Sequence, residues 1–118
     1  PDQCCQLRKV EPLTRVLQGY DAWITGIRRD QAPSRANAGL IEWDEKFTLI
    51  KVYPLARWTW ADVWSYITVY EVPYNPLHDH NYPSIGCTYC TAPVASGDDP
   101  RAGRWKNFTK TECGLHKA

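Results

Sequence analysis

The chain has 118 residues, room for one compact domain or for part of a larger one. A formal charge of +1 gives the whole molecule no strong attraction to nucleic acid or to an anionic membrane surface. No apolar run approaches the roughly 20 residues that a membrane span needs, and no signal peptide is visible.

The chain opens at Pro1, and Cys4-Cys5 follow almost at once. A metal site needs support on every side, so thiols this near an end read as part of a longer protein whose upstream chain is missing. Residues 11–18 read as a short helix, with Pro12 in the first turn and Gly19 at the stop. Residues 22–26 (AWITG) are apolar and rich in aromatic and β-branched side chains, which predicts a buried strand. Residues 28–39 mix arginines with Asp, Pro, Ser, Asn and Gly and read as an exposed loop.

Residues 40–43 and 47–53 are β-like runs around Asp44-Glu45-Lys46, a strand pair or hairpin. Thr59 can cap a helix reaching about Tyr70, with Asp62 three residues on and Val63, Trp64, Ile67 and Tyr70 on one face. Beyond Tyr70 the prolines at 73, 76, 83, 93 and 100 leave little periodicity. A long irregular stretch that holds Cys87, Cys90 and Cys113 points to function rather than filler.

The five cysteines are odd in number and wrongly spaced for a disulfide scaffold. Cys87-Thr-Tyr-Cys90 is a chelating step shared by zinc sites, redox dithiols and iron–sulfur sites. Cys4-Cys5 is less common. Neighbouring side chains diverge on a helix and alternate faces on a strand, so a single ion takes both only with distortion, whereas a cubane cluster offers separate iron atoms. Two buried structural cysteines are the plain alternative for that pair. Together the four predict a metal site, with a 4Fe–4S cluster ahead of zinc. Cys113 is left over, beside Lys110 and within Glu-Cys-Gly-Leu-His, and is either incidental or a nucleophile that His116 could reach if the tail turns helically. The basic groups Arg8/Lys9, Arg28/Arg29/Arg35 and Arg101/Arg104/Lys106 are either solvated faces or anion sites.

Five blocks carry a family resemblance: Cys4-Cys5-x-Leu-Arg-Lys; Trp23-Ile24-Thr25-Gly26-x-Arg28-Arg29-Asp30-Gln31; Tyr82-Pro83-Ser84-Ile85-Gly86-Cys87-x-x-Cys90; Gly103-Arg104-Trp105; and Glu112-Cys113-Gly114-Leu115-His116. In order and spacing the chain resembles the assimilatory adenylyl-sulfate (APS) reductases, the iron–sulfur type of the PAPS/APS reductase family. The resemblance implies an α/β fold of the adenine nucleotide α-hydrolase (PP-loop) type. Residues 1–118 would be the C-terminal portion of one reductase domain, with a loop-rich iron–sulfur segment, a mobile catalytic tail at 106–118 and the phosphate-loop half absent.

By the same resemblance Cys4, Cys5, Cys87 and Cys90 hold a 4Fe–4S cluster; Lys9, Arg35, Arg101 and Arg104 line the phosphosulfate pocket; and Gly26 lies at the nucleotide. Cys113 would attack the sulfuryl sulfur with His116 assisting, forming an S-sulfocysteine that thioredoxin or glutaredoxin resolves to sulfite, with AMP as the other product. The implied setting is cytoplasmic sulfate assimilation and cysteine biosynthesis, without nucleic-acid or membrane partners and with room for a homo-oligomer. The competing readings are a non-catalytic zinc or iron–sulfur module, a PAPS reductase and a tRNA sulfurtransferase of related fold.

Overall fold

The computed structural model describes residues 1–116. A helical run opens it: α1 (Asp2–Cys5), a π-helical turn (Gln6–Val10) and α2 (Glu11–Leu17), with right-handed helical backbone through both junctions. The helix therefore begins well before Pro12, where the sequence signal placed its start. An interior proline lacks its N–H and presses on the carbonyl one turn back. Here the widened π register, in which the Glu11 N–H reaches the Gln6 carbonyl, precedes the proline and relieves that conflict.

Strands β1 (Ala22–Ile24), β2 (Ile41–Asp44) and β3 (Leu49–Val52) form a mixed sheet in the order β1-β3-β2. β1 runs parallel to β3 with Ala22 opposite Ile50, and β2 runs antiparallel to it with Trp43 opposite Ile50. The predicted strand pair is a hairpin whose turn is tied by the Phe47 N–H donating to Asp44 Oδ1 at 2.9 Å. α3 (Trp60–Tyr70) starts where the sequence places it: Thr59 Oγ1 accepts from the Asp62 N–H, and the Asp62 carboxylate accepts from the Thr59 N–H.

One sheet face carries the core. Leu17, Phe47 and Leu49 are buried there with Leu13 and Trp23 packed against them, and full burial of a side chain such as Leu49 contributes about 1.5–3 kcal/mol. The other face is open, so the expectation of a buried β1 is corrected: Ile24 is 71% exposed, Ile41 70% and Trp43 57%. Alternation sends β1 side chains to opposite faces, and among the described residues only the Trp23 side meets a neighbouring layer.

The segment 28–39 is not a plain exposed loop. It forms two short 3-10 turns, Arg29–Gln31 and Pro33–Arg35, and Arg28 is 7% exposed. The arginine segment is held inward by the Arg28 ion pair with Asp30 at 2.9 Å and by Arg29 Nε donating to the Ala38 carbonyl at 2.7 Å. No helix among the described residues is long and apolar enough to cross a membrane.

Candidate functional site

The residues after α3 have no long helix, yet two backbone contacts fasten the Cys-x-x-Cys turn to the arginines that follow it. Thr91 and Arg104 form an antiparallel bridge, and the Trp105 N–H donates to the Cys90 carbonyl at 3.0 Å. The Ala92 N–H donates to the Gly103 carbonyl at 2.9 Å, an approach so close that a Cβ on Gly103 would fall on the Ala92 carbonyl oxygen. Glycine at 103 is what lets these two segments meet.

This junction floors a cavity of about 400 Å³ whose lining includes Gln31, Ser34, Arg101, Arg104, Trp105 and Lys110. Trp105 is 2% exposed, and the Arg104 guanidinium lies over its ring at 4.5 Å. Arg104 Nη1 donates to Ser84 Oγ and the Ile85 carbonyl, each at 3.2 Å, and the guanidinium packs where any side chain at Gly86 would stand. Arg104 Nε and Trp105 Nε1 are buried donors with no partner among the described residues. Buried unpaired donors are costly; both belong to residues that line the cavity, and both nitrogens are themselves enclosed by protein.

The tail at 111–116 is docked, not free. Glu112, 4% exposed, accepts from Arg35 Nε at 2.9 Å, Arg35 Nη2 at 2.8 Å and Ser34 Oγ at 3.0 Å. Arg101 Nη2 donates to the Thr111 carbonyl at 2.8 Å and lies 3.6 Å from Glu112 Oε2. Further on, Lys46 Nζ donates to the Gly114 carbonyl at 2.6 Å and Lys51 Nζ to the Leu115 carbonyl at 3.3 Å. The His116 ring stacks on Trp23 at 5.4 Å and 18°. Lys51 can lie 3% exposed because it pairs with Asp44 and sits 4.9 Å over the Trp23 ring.

Cys113 is half-buried between these anchors, and its thiol is free. Lys110, whose ammonium pairs with Asp2, lies near enough for the charges of Cys5 and Cys113 to act on it. Burial opposes the charged ammonium, but Asp2 and the two thiols outweigh it and raise the Lys110 pKa. Lys110 thus stands between the helix that carries the cysteine pair and the tail cysteine.

All the cysteines are free: Cys4 is exposed, Cys5 buried, Cys87 and Cys90 half-buried. Cys87 begins a 3-10 turn in which the Cys90 N–H donates to the Cys87 carbonyl at 2.9 Å. Among the described residues no three Cys, His, Asp or Glu side chains converge closely enough to hold a metal ion.

The sequence-selected residues therefore separate. Arg101 and Arg104 line the cavity; Arg35 does not, and its guanidinium is committed to Glu112 and to Gln31 at 2.6 Å. Gly26 is exposed with open space beside it, and Lys9 is half-buried in the π turn. Gly114–His116 bend rather than turn helically, with Gly114 at φ +91°, so the helical reach expected of His116 toward Cys113 is not formed. Sequence reasoning missed Ser34 and Glu112 as site residues. Their contact spans 78 positions, and no local pattern announces it.

The docked tail carries a pH dependence. Burial first, then Lys51 and Arg35, push the His116 pKa down from 6.5 to about 4, against weaker opposition from Glu112 and Asp44. The undocked tail therefore binds more protons between those values, so docking is at full strength above pH 6.5 and is lost as pH falls toward 4. Glu112 acts in the same direction at lower pH. Burial pushes its carboxyl up, but Arg35, Arg101 and Ser34 outweigh burial and hold it below its usual value. Amide exchange of the 112–116 peptide, corrected for intrinsic rates, should show protection falling from pH 6.5 to 4; flat protection would refute this.

The phosphoadenosine phosphosulfate reductase domain matches residues 2–93. The chain is 58% identical over 118 residues to the adenosine 5'-phosphosulfate reductase of Staphylococcus haemolyticus, covering 100% of this chain and 49% of the relative. It is 56% identical over 117 residues to adenosine 5'-phosphosulfate reductase 1 of Bacillus subtilis (99% and 50% covered). Against the phosphoadenosine 5'-phosphosulfate reductase of Gloeobacter violaceus it is 57% identical over 118 residues (98% and 49%). The chain thus spans about half the length of these relatives. A crystal structure of phosphoadenylyl-sulfate (PAPS) reductase from Candida auris, in a phosphate complex, superposes with a TM-score of 0.68 at 41% identity, covering 77% of this chain and 43% of that one. The mixed sheet flanked by helices is accordingly part of an α/β, PP-loop-type domain. With most of its length matched by the domain and more than half its residues shared with APS reductases, the chain belongs to the PAPS/APS reductase family.

Proposed function

We propose that the chain carries the sulfur-transfer chemistry of an adenylyl-sulfate reductase, an oxidoreductase that converts adenosine 5'-phosphosulfate to sulfite and AMP with a thioredoxin or glutaredoxin dithiol as reductant. The observation that carries this reading is a cavity of about 400 Å³ whose lining includes Arg101, Arg104, Lys110 and Thr111, with the free, half-buried Cys113 following on the docked tail in the fields of Arg101 and Lys110. A cavity of about 400 Å³ is in the size range of small-molecule sites.

In the first half-reaction the Cys113 thiolate attacks the sulfuryl sulfur. The bond from that sulfur to the phosphate oxygen breaks, and its electron pair leaves with AMP. Arg101 and Arg104 stabilise the charge gathering on the phosphate. His116 is neutral at physiological pH and stacked on Trp23, so it brings no charge to the substrate. By the family resemblance Lys9 would meet the phosphosulfate and Gly26 the nucleotide.

In the second half-reaction a dithiol's thiolate attacks Cys113 Sγ as the acceptor of a protein mixed disulfide, and sulfite departs with the electron pair of the broken S–S bond. The second thiol then closes the disulfide, so the dithiol is oxidised and Cys113 returns as thiolate. A thiolate nucleophile and thiolate cluster ligands need a reducing compartment, so we assign the reaction to the cytoplasm, in sulfate assimilation and cysteine biosynthesis.

Cys4, Cys5, Cys87 and Cys90 would hold a 4Fe–4S cluster. The donor chemistry is that of such a cluster, four free thiols of which the adjacent pair diverges, although among the described residues they do not converge on one point. When bound, the cluster supplies order and field, and the reducing electrons come from the dithiol.

The test is sulfite formation by the full-length protein with thioredoxin. Arg101→Ala or Arg104→Ala should weaken APS binding by about 1.5–3 kcal/mol, the scale of a charge-assisted hydrogen bond. Unchanged affinity in both would return these arginines to a solvated face. Equal or greater kcat/KM with PAPS would move the substrate to the 3'-phosphorylated nucleotide, the class named for the Gloeobacter relative.

A further inference from the structure

We propose that Gly86 is a positioning residue: the missing side chain at 86 leaves the space in which the Arg104 guanidinium is held against Trp105, and the loop ahead of Cys87 thereby aims Arg104 at the substrate anion. The proposal rests on Arg104 binding that anion, as the proposed reaction requires.

The backbone does not need glycine at 86. Its φ lies outside the positive range that favours glycine, unlike that of Gly114 at +91°. Space is what it supplies. A Cβ there would stand 2.6 Å from Arg104 Cζ and 2.9 Å from Arg104 Nε, nearer than the 3.0 Å that Cβ contacts respect. At Gly103 the corresponding Cβ would strike the Ala92 backbone carbonyl, so that glycine serves the path of the chain. At Gly86 the three nearest atoms all belong to the Arg104 guanidinium, so an added methyl would displace the end of one side chain and leave the chain path alone.

The backbones on either side are tied and give little room to yield instead. The Gly86 N–H donates to Thr91 Oγ1 at 3.0 Å, and Thr91 is bridged antiparallel to Arg104. The guanidinium closes the circuit. Its Nη1 donates to Ser84 Oγ and to the Ile85 carbonyl, each at 3.2 Å, while its Cζ lies 4.5 Å from the Trp105 ring centroid. Loop and ring together restrain a planar group that water alone would leave free to turn.

The restraint matters because Arg104 has a like charge beside it. The Arg101 Cζ lies 5.8 Å from the same ring centroid, and both arginines line the cavity. Two guanidinium groups sharing one ring repel. Arg101 is held by the tail, where it donates to the Thr111 carbonyl at 2.8 Å, and Arg104 is held by the loop. Cations fixed before the anion arrives bind it more tightly than cations that must first be ordered.

The test uses the full-length protein with Gly86→Ala, Arg104→Ala, the double variant, Ser84→Ala and Ser84→Thr. The dissociation constant for APS, the rate of phenylglyoxal modification of Arg104 by peptide mass, and iron content are measured. Gly86→Ala should keep its iron and bind APS about tenfold or more weakly, the scale of a charge-assisted hydrogen bond. Phenylglyoxal should modify its displaced Arg104 severalfold faster. In the Arg104→Ala background the same substitution should change APS affinity less than about twofold, because no guanidinium is left to displace. A purely structural glycine would subtract again there. Ser84→Ala should also speed modification of Arg104, and Ser84→Thr, which keeps the hydroxyl, should restore the wild-type rate. Wild-type affinity and modification rate in Gly86→Ala would overturn the proposal, as would an equal loss of affinity in the Arg104→Ala background. Should Gly86→Ala fail to fold or lose its iron, the Ser84 pair decides: faster modification in Ser84→Ala, reversed in Ser84→Thr, sustains the proposal, and an unchanged rate overturns it. Wild-type APS affinity in Arg104→Ala would instead overturn the assignment of Arg104 to the substrate, while the modification rates would still report whether Gly86 holds the guanidinium.

Discussion

Cys113→Ser should abolish sulfite formation, a loss of about 10⁴-fold or more, while the fold and APS binding persist. Serine is close to cysteine in volume, and Cys113 is half-buried without a disulfide partner, so packing changes little. The chemistry fails twice. A serine hydroxyl is a far weaker nucleophile than a thiolate at neutral pH, and neither Lys110 nor Arg101 can compensate, because both act as cations and not as bases. Had an O-sulfonate formed, it would hold no S–S bond for a dithiol to exchange, so the second half-reaction would also stop. Wild-type full-length enzyme given APS without reductant should gain about 80 Da on the Cys113 peptide, the mass of one SO₃. An adduct on another cysteine, or sulfite turnover surviving in Cys113→Ser, would end this mechanism.

The parts of the fold that were legible in the sequence are those governed by neighbours in the chain. α3 was readable because its cap at Thr59–Asp62 and its apolar spacing are local, and the hairpin because two β-like runs flank a short turn. The start of the first helix was misread for an equally local reason. Pro12 is a good first-turn signal, and nothing nearby in the sequence reveals that a π turn lets the helix run through it. β1 was recognised as a strand but not as half-exposed, because an apolar run does not say how many layers cover it.

In the site, residue types were legible and partnerships were not. Cys113 stands out as the cysteine left over from the two pairs, whereas Arg101 and Arg104 are singled out only by the family resemblance. Glu112 with Arg35, Lys110 with Asp2 and His116 with Trp23 join residues far apart in the chain, and only the folded backbone sets those distances. Arg35 shows the consequence: as a sequence position it is one more cation for an anion, and as a folded residue it is the partner of a tail carboxylate.

Serine variants of the ligand cysteines should empty the protein of iron. In the anaerobically purified full-length protein, about four irons and about four acid-labile sulfides per chain are expected. Cys5→Ser, Cys87→Ser and Cys90→Ser should each lose most of both. Adjacent residues on a helix point about 100° apart, and here that divergence leaves Cys4 exposed and Cys5 buried on one turn. A tetrahedral zinc ion wants four thiolates about 2.3 Å from a single point, which such a pair meets only with distortion. A cubane presents different iron atoms to different thiolates, so divergence is no obstacle. The second pair belongs to a turn bonded through Cys90 to Trp105 and bridged at Thr91 to Arg104. Cluster loss should therefore loosen the arginine segment too, lowering the thermal midpoint and weakening APS binding in the same variants. Stoichiometric zinc with no iron would replace the cluster with a mononuclear site. Unchanged iron across serine variants of all four cysteines would remove them as ligands.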